Sequence, residues 1–222
     1  MGKSMWDKEN ILIIGASRGL GRAFVNELDK KYPNLKIFLA SRKSLTSTQH
    51  QYIRFDASQS ADQQNLLKLI DEIKPQQIFY FAGGGPYGPF HSFEWKDHEW
   101  ALHVNFLTPA KILHHVLKGP NDLGQICFVG SLVAENNEHP LGSSYGAAKN
   151  ALHSLIQSIV AEKNGKAKIR LFSPDYIDTD LLPKNALPRR MKLPILTAEV
   201  AAQKMLTWVV EPGATWHYQL KS

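Results

Sequence analysis

Short apolar segments alternate along the chain with longer amphipathic stretches of helical length. The apolar segments predict strands at residues 10–14, 36–40, 52–55, 77–81, 124–129, 168–172 and 217–220. The longer stretches predict helices at residues 20–32, 61–74, 97–118, 144–164 and 197–210, and a proline-rich, basic stretch at 175–194 predicts irregular structure. Apolar strands separated by helices form a parallel sheet that is covered on both faces.

The order of these elements predicts a single α/β domain. The chain has 222 residues, a length at which an α/β protein is still one domain around one buried core. We therefore predict a doubly wound parallel sheet with helices on both faces over residues 1–222.

A glycine-rich turn, Gly15-Ala-Ser-Arg-Gly-Leu-Gly21, follows the first predicted strand and begins the first predicted helix. Small residues in this position let the backbone approach a pyrophosphate, which then lies at the helix N-terminus. The turn therefore predicts dinucleotide binding by Gly15, Ser17, Arg18, Gly19, Leu20 and Gly21. A tight structural turn without a ligand is the alternative.

The residues after the second strand are Ser41 and Arg42, where an acidic residue would accept hydrogen bonds from the ribose hydroxyls of NAD. No acidic residue is present, and guanidinium groups match the geometry of a phosphate. Arg18 and Arg42 therefore favour the 2′-phosphate of NADP(H) over NAD(H). Alternatively, Arg42 or Lys43 is only a solvated surface charge.

Two further strand ends carry candidate cofactor contacts. Asp56 follows the third strand, where its carboxylate could accept a hydrogen bond from the amino group of an adenine. The alternative is that Asp56 is an N-cap or turn aspartate. Ala82 and Gly83 begin the glycine run after the fourth strand, and glycine there permits close approach of a ligand. A plain loop is the alternative for this run.

Tyr145 and Lys149 are four residues apart on a predicted helix and therefore share one face. The ammonium can favour the phenolate of a residue whose free pKa is about 10, which makes the phenol usable as an acid or base. Ser131 lies at the end of the fifth strand and Asn105 lies on the helix at 97–118, so the fold must gather these four groups. Taken alone, Tyr145 would be a half-buried helix residue.

Together these motifs resemble the classical short-chain dehydrogenase/reductase family, from Gly15 to about Thr179. The resemblance implies a Rossmann-type fold, with a cofactor half at about 10–130 and a catalytic and substrate half at about 131–222. It also implies that Asp56, Ala82 and Gly83 contact the adenosine. The segment from Pro174 to Thr179 would clasp the nicotinamide through the backbone of Ile177 and the hydroxyl of Thr179.

The same resemblance implies catalytic roles for Asn105, Ser131, Tyr145 and Lys149. The expected function is NADP-dependent interconversion of a small carbonyl compound and its alcohol, and Lys149 would also hold the nicotinamide ribose. An NADP-binding sensor or interaction protein with little turnover is the alternative. The chain departs from the family pattern at three positions, where Ile14, Phe81 and Asp175 replace the usual threonine, asparagine and glycine.

Composition and charge limit the other partners. The formal charge of +6 comes from scattered basic residues, so we expect no nucleic-acid partner. No apolar run approaches the roughly 18 residues of a membrane helix, and the single cysteine, Cys127, suits a cytoplasmic protein. The histidines show no metal-ligand spacing, so we expect no metal.

The predicted helices at 97–118 and 144–164 are apolar on more than one side, so each must bury more than one face. In the resembling family these two helices pair across a two-fold axis. We therefore expect a homodimer or homotetramer.

Overall fold

The computed structural model of the chain describes residue 6 and residues 9–43, 49–119, 123–136, 140–162 and 167–222. Within these ranges, seven parallel strands form one sheet and two short strands form another. In chain order the strands are β1 Ile11–Ile14, β2 Ile37–Ser41, β3 Gln51–Arg54, β4 Gln77–Tyr80, β5 Gln125–Val129, β6 Lys168–Pro174, β7 Ile177–Asp178, β8 Leu196–Thr197 and β9 His217–Leu220. The predicted parallel sheet is confirmed.

The strands of the large sheet lie in the order β3-β2-β1-β4-β5-β6-β9. The order reverses between β1 and β4, where Ile14 lies beside Ala40 on β2 and Tyr80 on β4. Ligands of open α/β sheets bind outside the carboxyl ends of the strands at such a reversal. The topology therefore directs a binding cleft to the ends of β1 and β4.

The helices confirm most of the sequence prediction. In the described ranges they are α1 Gly19–Lys31, α2 Ser60–Ile73, α3 Trp95–Leu102, α4 Thr108–Lys118, α5 Leu132–Asn136, α6 Ser143–Ala161, α7 Leu187–Arg190 and α8 Ala198–Val210. The helix predicted at 144–164 corresponds to α6, and its last two positions, 163 and 164, lie outside the described residues. No helix of the described part combines the length and the hydrophobicity needed to cross a bilayer.

Alternate residues of each central strand face opposite sides of the sheet, which is why these strands are apolar throughout. Ile11 and Ile13 belong to the cluster that includes residues of α1 and α8. Leu12 and Ile14 belong to the cluster that includes residues of α2, α4 and α6. The sheet is therefore covered by helices on both faces, as the sequence predicted.

Three regions differ from the sequence prediction, and the first is the short helix α5, which no predicted element covers. The predicted continuous helix at 97–118 is divided, because a π-helical segment at His103–Leu107 separates α3 from α4. The stretch at 175–194 is not irregular throughout, because it contains β7 and α7, and β7 pairs in parallel with β8. Neither a π turn nor a two-residue strand has a hydrophobic period long enough to detect in a sequence.

The turn after β1 packs directly against the end of β4. Gly15 has a φ of +87°, and a Cβ atom there would lie 2.3 Å from the backbone nitrogen of Ala82. Phe81 occupies the position of the family asparagine, and its ring packs against that of Phe24 on α1 in a tilted arrangement, with 5.2 Å between the ring centroids. Gly21 lies against both Gly15 and Phe81. A Cβ atom added at Gly21 would lie 2.3 Å from the carbonyl oxygen of Gly15 and 3.0 Å from Cβ of Phe81.

Alanine substitution should separate the strain of a positive φ from the cost of this contact. Gly213 has nearly the same φ as Gly15, +86°, but no atom within 4 Å of an added Cβ. Gly213→Ala should lower the free energy of unfolding by about 1–2 kcal/mol, the cost of a left-handed conformation for an L-residue. Gly15→Ala should lower it by at least about 3 kcal/mol, since overpacking against backbone adds to that strain.

Urea denaturation of both variants, followed by circular dichroism, measures the difference. Equal losses in the two variants would contradict the close packing of the turn against β4.

Candidate active site

A cleft opens at the carboxyl ends of the strands, where the topology directs it. Its lining includes residues of the turn after β1, the ends of β2, β4 and β5, helix α6 and the segment after β6. Among the residues predicted from the sequence, the cleft brings together Gly15, Ser17, Arg18, Gly19, Leu20, Gly21, Ser41, Arg42, Asp56, Ala82, Gly83, Ser131, Tyr145, Lys149, Pro174, Ile177 and Thr179.

The turn before α1 has the shape of a dinucleotide cradle. Arg18 is the N-cap residue in extended backbone, and Gly19 has a φ of +57°. The methyl group of Thr179 lies 3.4 Å from the place that a Cβ on Gly19 would occupy. The segment after β6 therefore lies over the helix N-terminus, where backbone N–H groups favour anions. These small residues fit a pyrophosphate, with the segment of Thr179 on the opposite wall.

Two arginines lie at the adenosine end of the predicted site. Arg42 is exposed, and its guanidinium carbon lies 5.6 Å from the ring centroid of Trp100. Arg18 is also exposed and lies 3.9 Å from a carboxylate oxygen of Asp180. Trp100 lines the cleft, packs against the hydrophobic core beside it and lies against Gly84.

Asp56 lies at the cleft and makes the hydrogen bonds of a turn aspartate. Its Oδ1 accepts from the backbone nitrogen of Ser58 at 3.0 Å and from the Ser58 hydroxyl at 2.8 Å. Its own backbone nitrogen donates to Oδ2 of Asp62 at 2.8 Å. The adenine contact of Asp56 stays a prediction.

Asn105 lies behind the cleft, within the π-helical segment, and is fully buried. Its Nδ2 donates to the carbonyl oxygens of Gly84, at 2.6 Å, and Ala101, at 2.7 Å. Its Oδ1 accepts from the backbone nitrogen of Gly84 at 3.3 Å. The side chain therefore holds the glycine run after β4 against the helix, and its part in a proton path stays a prediction.

Lys149 is buried in the floor of the site. Its Nζ donates to the carbonyl oxygen of Val129 at 2.7 Å and lies 5.5 Å from the ring centroid of Tyr145. A Cβ on Gly83 would lie 3.6 Å from this Nζ and 3.0 Å from Oδ1 of Asn105. Burial lowers the pKa of Lys149 to about 8, and the negative charge of Glu135 opposes this shift.

Tyr145 is half-buried, one helical turn before Lys149. Burial raises its pKa to about 12, a hydrogen bond with Ser131 lowers it, and the charge of Glu135 raises it further. The sequence predicted that Lys149 would lower this pKa, and that contribution of Lys149 stays a prediction, because burial has the largest effect on the phenol here. Burial dominates, so the phenol is protonated at neutral pH and suits the role of an acid.

Sequence reasoning missed a polar cluster beside these residues. Glu135 lies on α5, the helix that begins directly after Ser131. The carboxylate of Glu135 contacts Ser173 and His217. Only the position of Glu135, four residues after Ser131, could have indicated it, because the partners are distant in the chain.

The family of the chain follows from a match of residues 9–189 to the model for short chain dehydrogenases. The chain belongs to this family, and the prediction of a short-chain dehydrogenase/reductase is confirmed.

Two curated relatives show how far the similarity extends. The chain is 22% identical over 166 residues to a 7beta-hydroxysteroid dehydrogenase of Collinsella aerofaciens, which covers 69% of this chain and 63% of the relative. It therefore matches less than two thirds of the length of that enzyme. It is 23% identical over 217 residues to the cyclic-di-GMP-binding biofilm dispersal mediator protein of Escherichia coli, which covers 94% of this chain and 92% of the relative.

Solved structures share the fold. A 4-hydroxyisoleucine dehydrogenase complexed with NADH superimposes with a TM-score of 0.81 at 18% identity, covering 96% of each chain. BdcA in complex with NADPH superimposes with a TM-score of 0.79 at 18% identity, covering 96% of this chain and 93% of that one. These neighbours confirm the Rossmann-like fold, and they carry both kinds of nicotinamide cofactor.

The lowered pKa of Lys149 predicts a distinct titration in the free protein. Its ammonium should be charged below a pH of about 8 and neutral above it, whereas ordinary lysines titrate at about 10.4. Carbon-13 NMR of the Cε positions should therefore show one resonance with the lower midpoint, and Lys149→Met should remove it. A spectrum in which every lysine titrates near the ordinary value would contradict this assignment.

Proposed function

We propose that the chain is an NADP-dependent oxidoreductase that interconverts a small carbonyl compound and its alcohol. The observation that carries the proposal is that Ser131, Tyr145 and Lys149 line the same cleft as the glycine-rich turn of Gly15. A proton donor and a dinucleotide cradle in one cleft suit hydride transfer coupled to proton transfer.

The cofactor would lie across the carboxyl ends of β1 and β4. Gly15, Gly19 and Gly21 would receive the pyrophosphate, and Asp56, Ala82 and Gly83 would border the adenosine. Pro174, Ile177 and Thr179 would border the nicotinamide, which supplies the hydride when bound. The chain to about residue 130 would thus hold the adenosine half of the cofactor, and the later part would provide the substrate side.

Three side chains would handle the proton in the reduction direction. Ser131 would donate a hydrogen bond to the carbonyl oxygen of the substrate, and the phenol of Tyr145 would give its proton to that same oxygen. The raised pKa of Tyr145, about 12, keeps the phenol protonated before the step. The ammonium of Lys149 would offset the negative charge that develops on the phenolate.

Removing the phenolic proton tests this mechanism. Tyr145→Phe keeps the ring and should lower turnover by about 10²–10⁴-fold, the usual worth of general acid catalysis, while NADPH affinity stays nearly unchanged. Tyr32→Phe is the matched control, because Tyr32 directly follows α1 and lies outside the cleft lining. NADPH oxidation with a panel of aldehydes and ketones measures both. A Tyr145→Phe protein as active as the control would eliminate Tyr145 as the acid.

The cofactor preference rests on the arginines at the adenosine end. Arg18 and Arg42 both line the cleft, and each is exposed and able to turn toward a 2′-phosphate. A guanidinium forms paired hydrogen bonds with phosphate oxygens. Their positions support a preference for NADP(H) over NAD(H).

Charge reversal tests this preference. NADPH should bind more tightly than NADH, and Arg42→Asp should cost about 1.5–3 kcal/mol of NADPH affinity, the worth of a hydrogen bond to a charged group. Lys204→Asp, an exposed charge reversal on α8, should leave both affinities unchanged. Fluorescence titration with the two cofactors gives the dissociation constants, and equal values in the unmutated protein would refute the preference.

A second candidate function is a nucleotide-binding sensor with little turnover. The relative from Escherichia coli, named as a cyclic-di-GMP-binding mediator, covers 94% of this chain and supports this candidate. Binding of NADPH or cyclic di-GMP without NADPH oxidation by any member of the carbonyl panel would favour the sensor.

We also infer a cytoplasmic homodimer or homotetramer. Leu107 is 45% exposed, and Phe106, Leu155 and Ile159 are only half-buried on the same helical elements. An apolar helix face of this kind suits pairing with a second copy. Light scattering at micromolar concentration should give a multiple of the 25.0 kDa chain mass, and a single-chain mass would refute the assembly.

A further inference from the structure

A cluster of three potential metal ligands lies outside the proposed reaction path. Glu135 on α5, His153 on α6 and His217 on β9 each offer one ligand atom, and these atoms lie within 4.8 Å of one another. We propose that this cluster is a binding site for a divalent cation, and that Zn²⁺ is the ion it selects. The inference is independent of the proposed oxidoreductase function, because it concerns groups that take no part in that reaction.

The carboxylate of Glu135 is the best-defined ligand. Its side chain is only 2% exposed, and its Oε2 lies 3.1 Å from Nε2 of His217. This Oε2 is buried and faces the imidazole of His217, whose Nε2 also lies 3.0 Å from the hydroxyl oxygen of Ser173. The hydroxyl of Ser173 donates to the other oxygen, Oε1. The carboxylate is thus oriented through one oxygen while the other faces the imidazole.

The distances suit a small tetrahedral ion. With bonds of about 2.0–2.1 Å, two ligands of a tetrahedral zinc ion lie roughly 3.3 Å apart, close to the 3.1 Å between Glu135 and His217. The ring centroid of His153 lies 5.0 Å from that of His217, so a modest rotation would bring its nitrogen to the ion. A water molecule would take the fourth position, as in other three-ligand sites.

The ligand types favour zinc over calcium and magnesium. Two imidazoles and one carboxylate are borderline-soft ligands, whereas calcium and magnesium require sites built of oxygen. Ser173 would act by orienting Glu135, and such supporting hydrogen bonds contribute to metal affinity. Both histidines are half-buried rather than enclosed, so an ion can reach them from solvent.

The cluster also supports the backbone next to Ser131. A Cβ on Gly130 would lie 2.3 Å from Oγ of Ser173 and 2.7 Å from Oε1 of Glu135. An ion held by the three ligands would therefore join α5, α6 and β9 behind the wall of the cleft. We expect its main effect on thermal stability, since it would bind only when the three elements are folded together.

The experiment uses the full chain, freed of any affinity tag and stripped of metal with a chelator. Titration with zinc chloride against a chromophoric zinc chelator should give one ion per chain. At a free zinc concentration of about 100 times the dissociation constant, the melting temperature should rise by roughly 5–10 °C. Excess EDTA should reverse this rise.

Variants assign the binding to the cluster. His153→Phe keeps the ring stacked on Trp216 but removes the ligand nitrogen, and it should weaken zinc binding at least about 10-fold, as should Ser173→Ala. His114→Ala, at an exposed site on α4, should bind zinc like the unmutated chain. His153→Phe leaves the contact of Glu135 with His217 in place, so it tests the site even if Glu135→Gln fails to fold.

Two results would overturn the assignment of a cation site to this cluster. One is the lack of stoichiometric zinc binding by the unmutated chain, which would mean that Glu135 and His217 form only an ion pair. The other is zinc binding that His153→Phe leaves unchanged, which would assign the ion to other histidines. Tighter binding of magnesium or calcium than of zinc would equally refute the choice of ion.

Discussion

The close approach of the turn after β1 to the end of β4 is the constraint on which the site depends. Glycine at positions 15 and 21 permits this approach, because a Cβ at either position would lie 2.3 Å from neighbouring backbone. The contact fixes the N-terminus of α1 beside the glycine run after β4. Asn105 binds the same run from behind through Gly84, so the cleft floor is held from two sides.

Burial sets the protonation states in this floor more strongly than neighbouring charges do. Lys149 is buried beneath Gly83 and bonded to the carbonyl of Val129, and burial lowers the pKa of its ammonium. The same burial raises the pKa of Tyr145, although an ammonium lies one helical turn away. The two shifts move the groups toward neutral forms, which suits a phenol that gives a proton rather than one that takes it.

Helix α5 connects this floor to the polar cluster behind it. The backbone nitrogen of Glu135 donates to the carbonyl oxygen of Ser131 at 3.0 Å, so the proposed hydrogen-bond donor and the proposed zinc ligand lie on one helical turn. The side chain of Glu135 meanwhile contacts β6 and β9 through Ser173 and His217. The position of Ser131 therefore depends on packing at the far edge of the sheet.

The sequence by itself determined the parallel sheet, the glycine-rich turn and the shared face of Tyr145 and Lys149, because each depends on residues that are neighbours in the chain. Local periodicity marks strands and helices, and four-residue spacing places two side chains together on a helix. It also placed the family residues at strand ends, which a parallel sheet brings to one edge. Only the tertiary structure decided the π-helical segment around Asn105, the position of Trp100 at the cleft, the direction of the Tyr145 pKa and the meeting of Glu135 with His153 and His217. These features depend on burial and on contacts between distant segments, which no local pattern in the chain encodes.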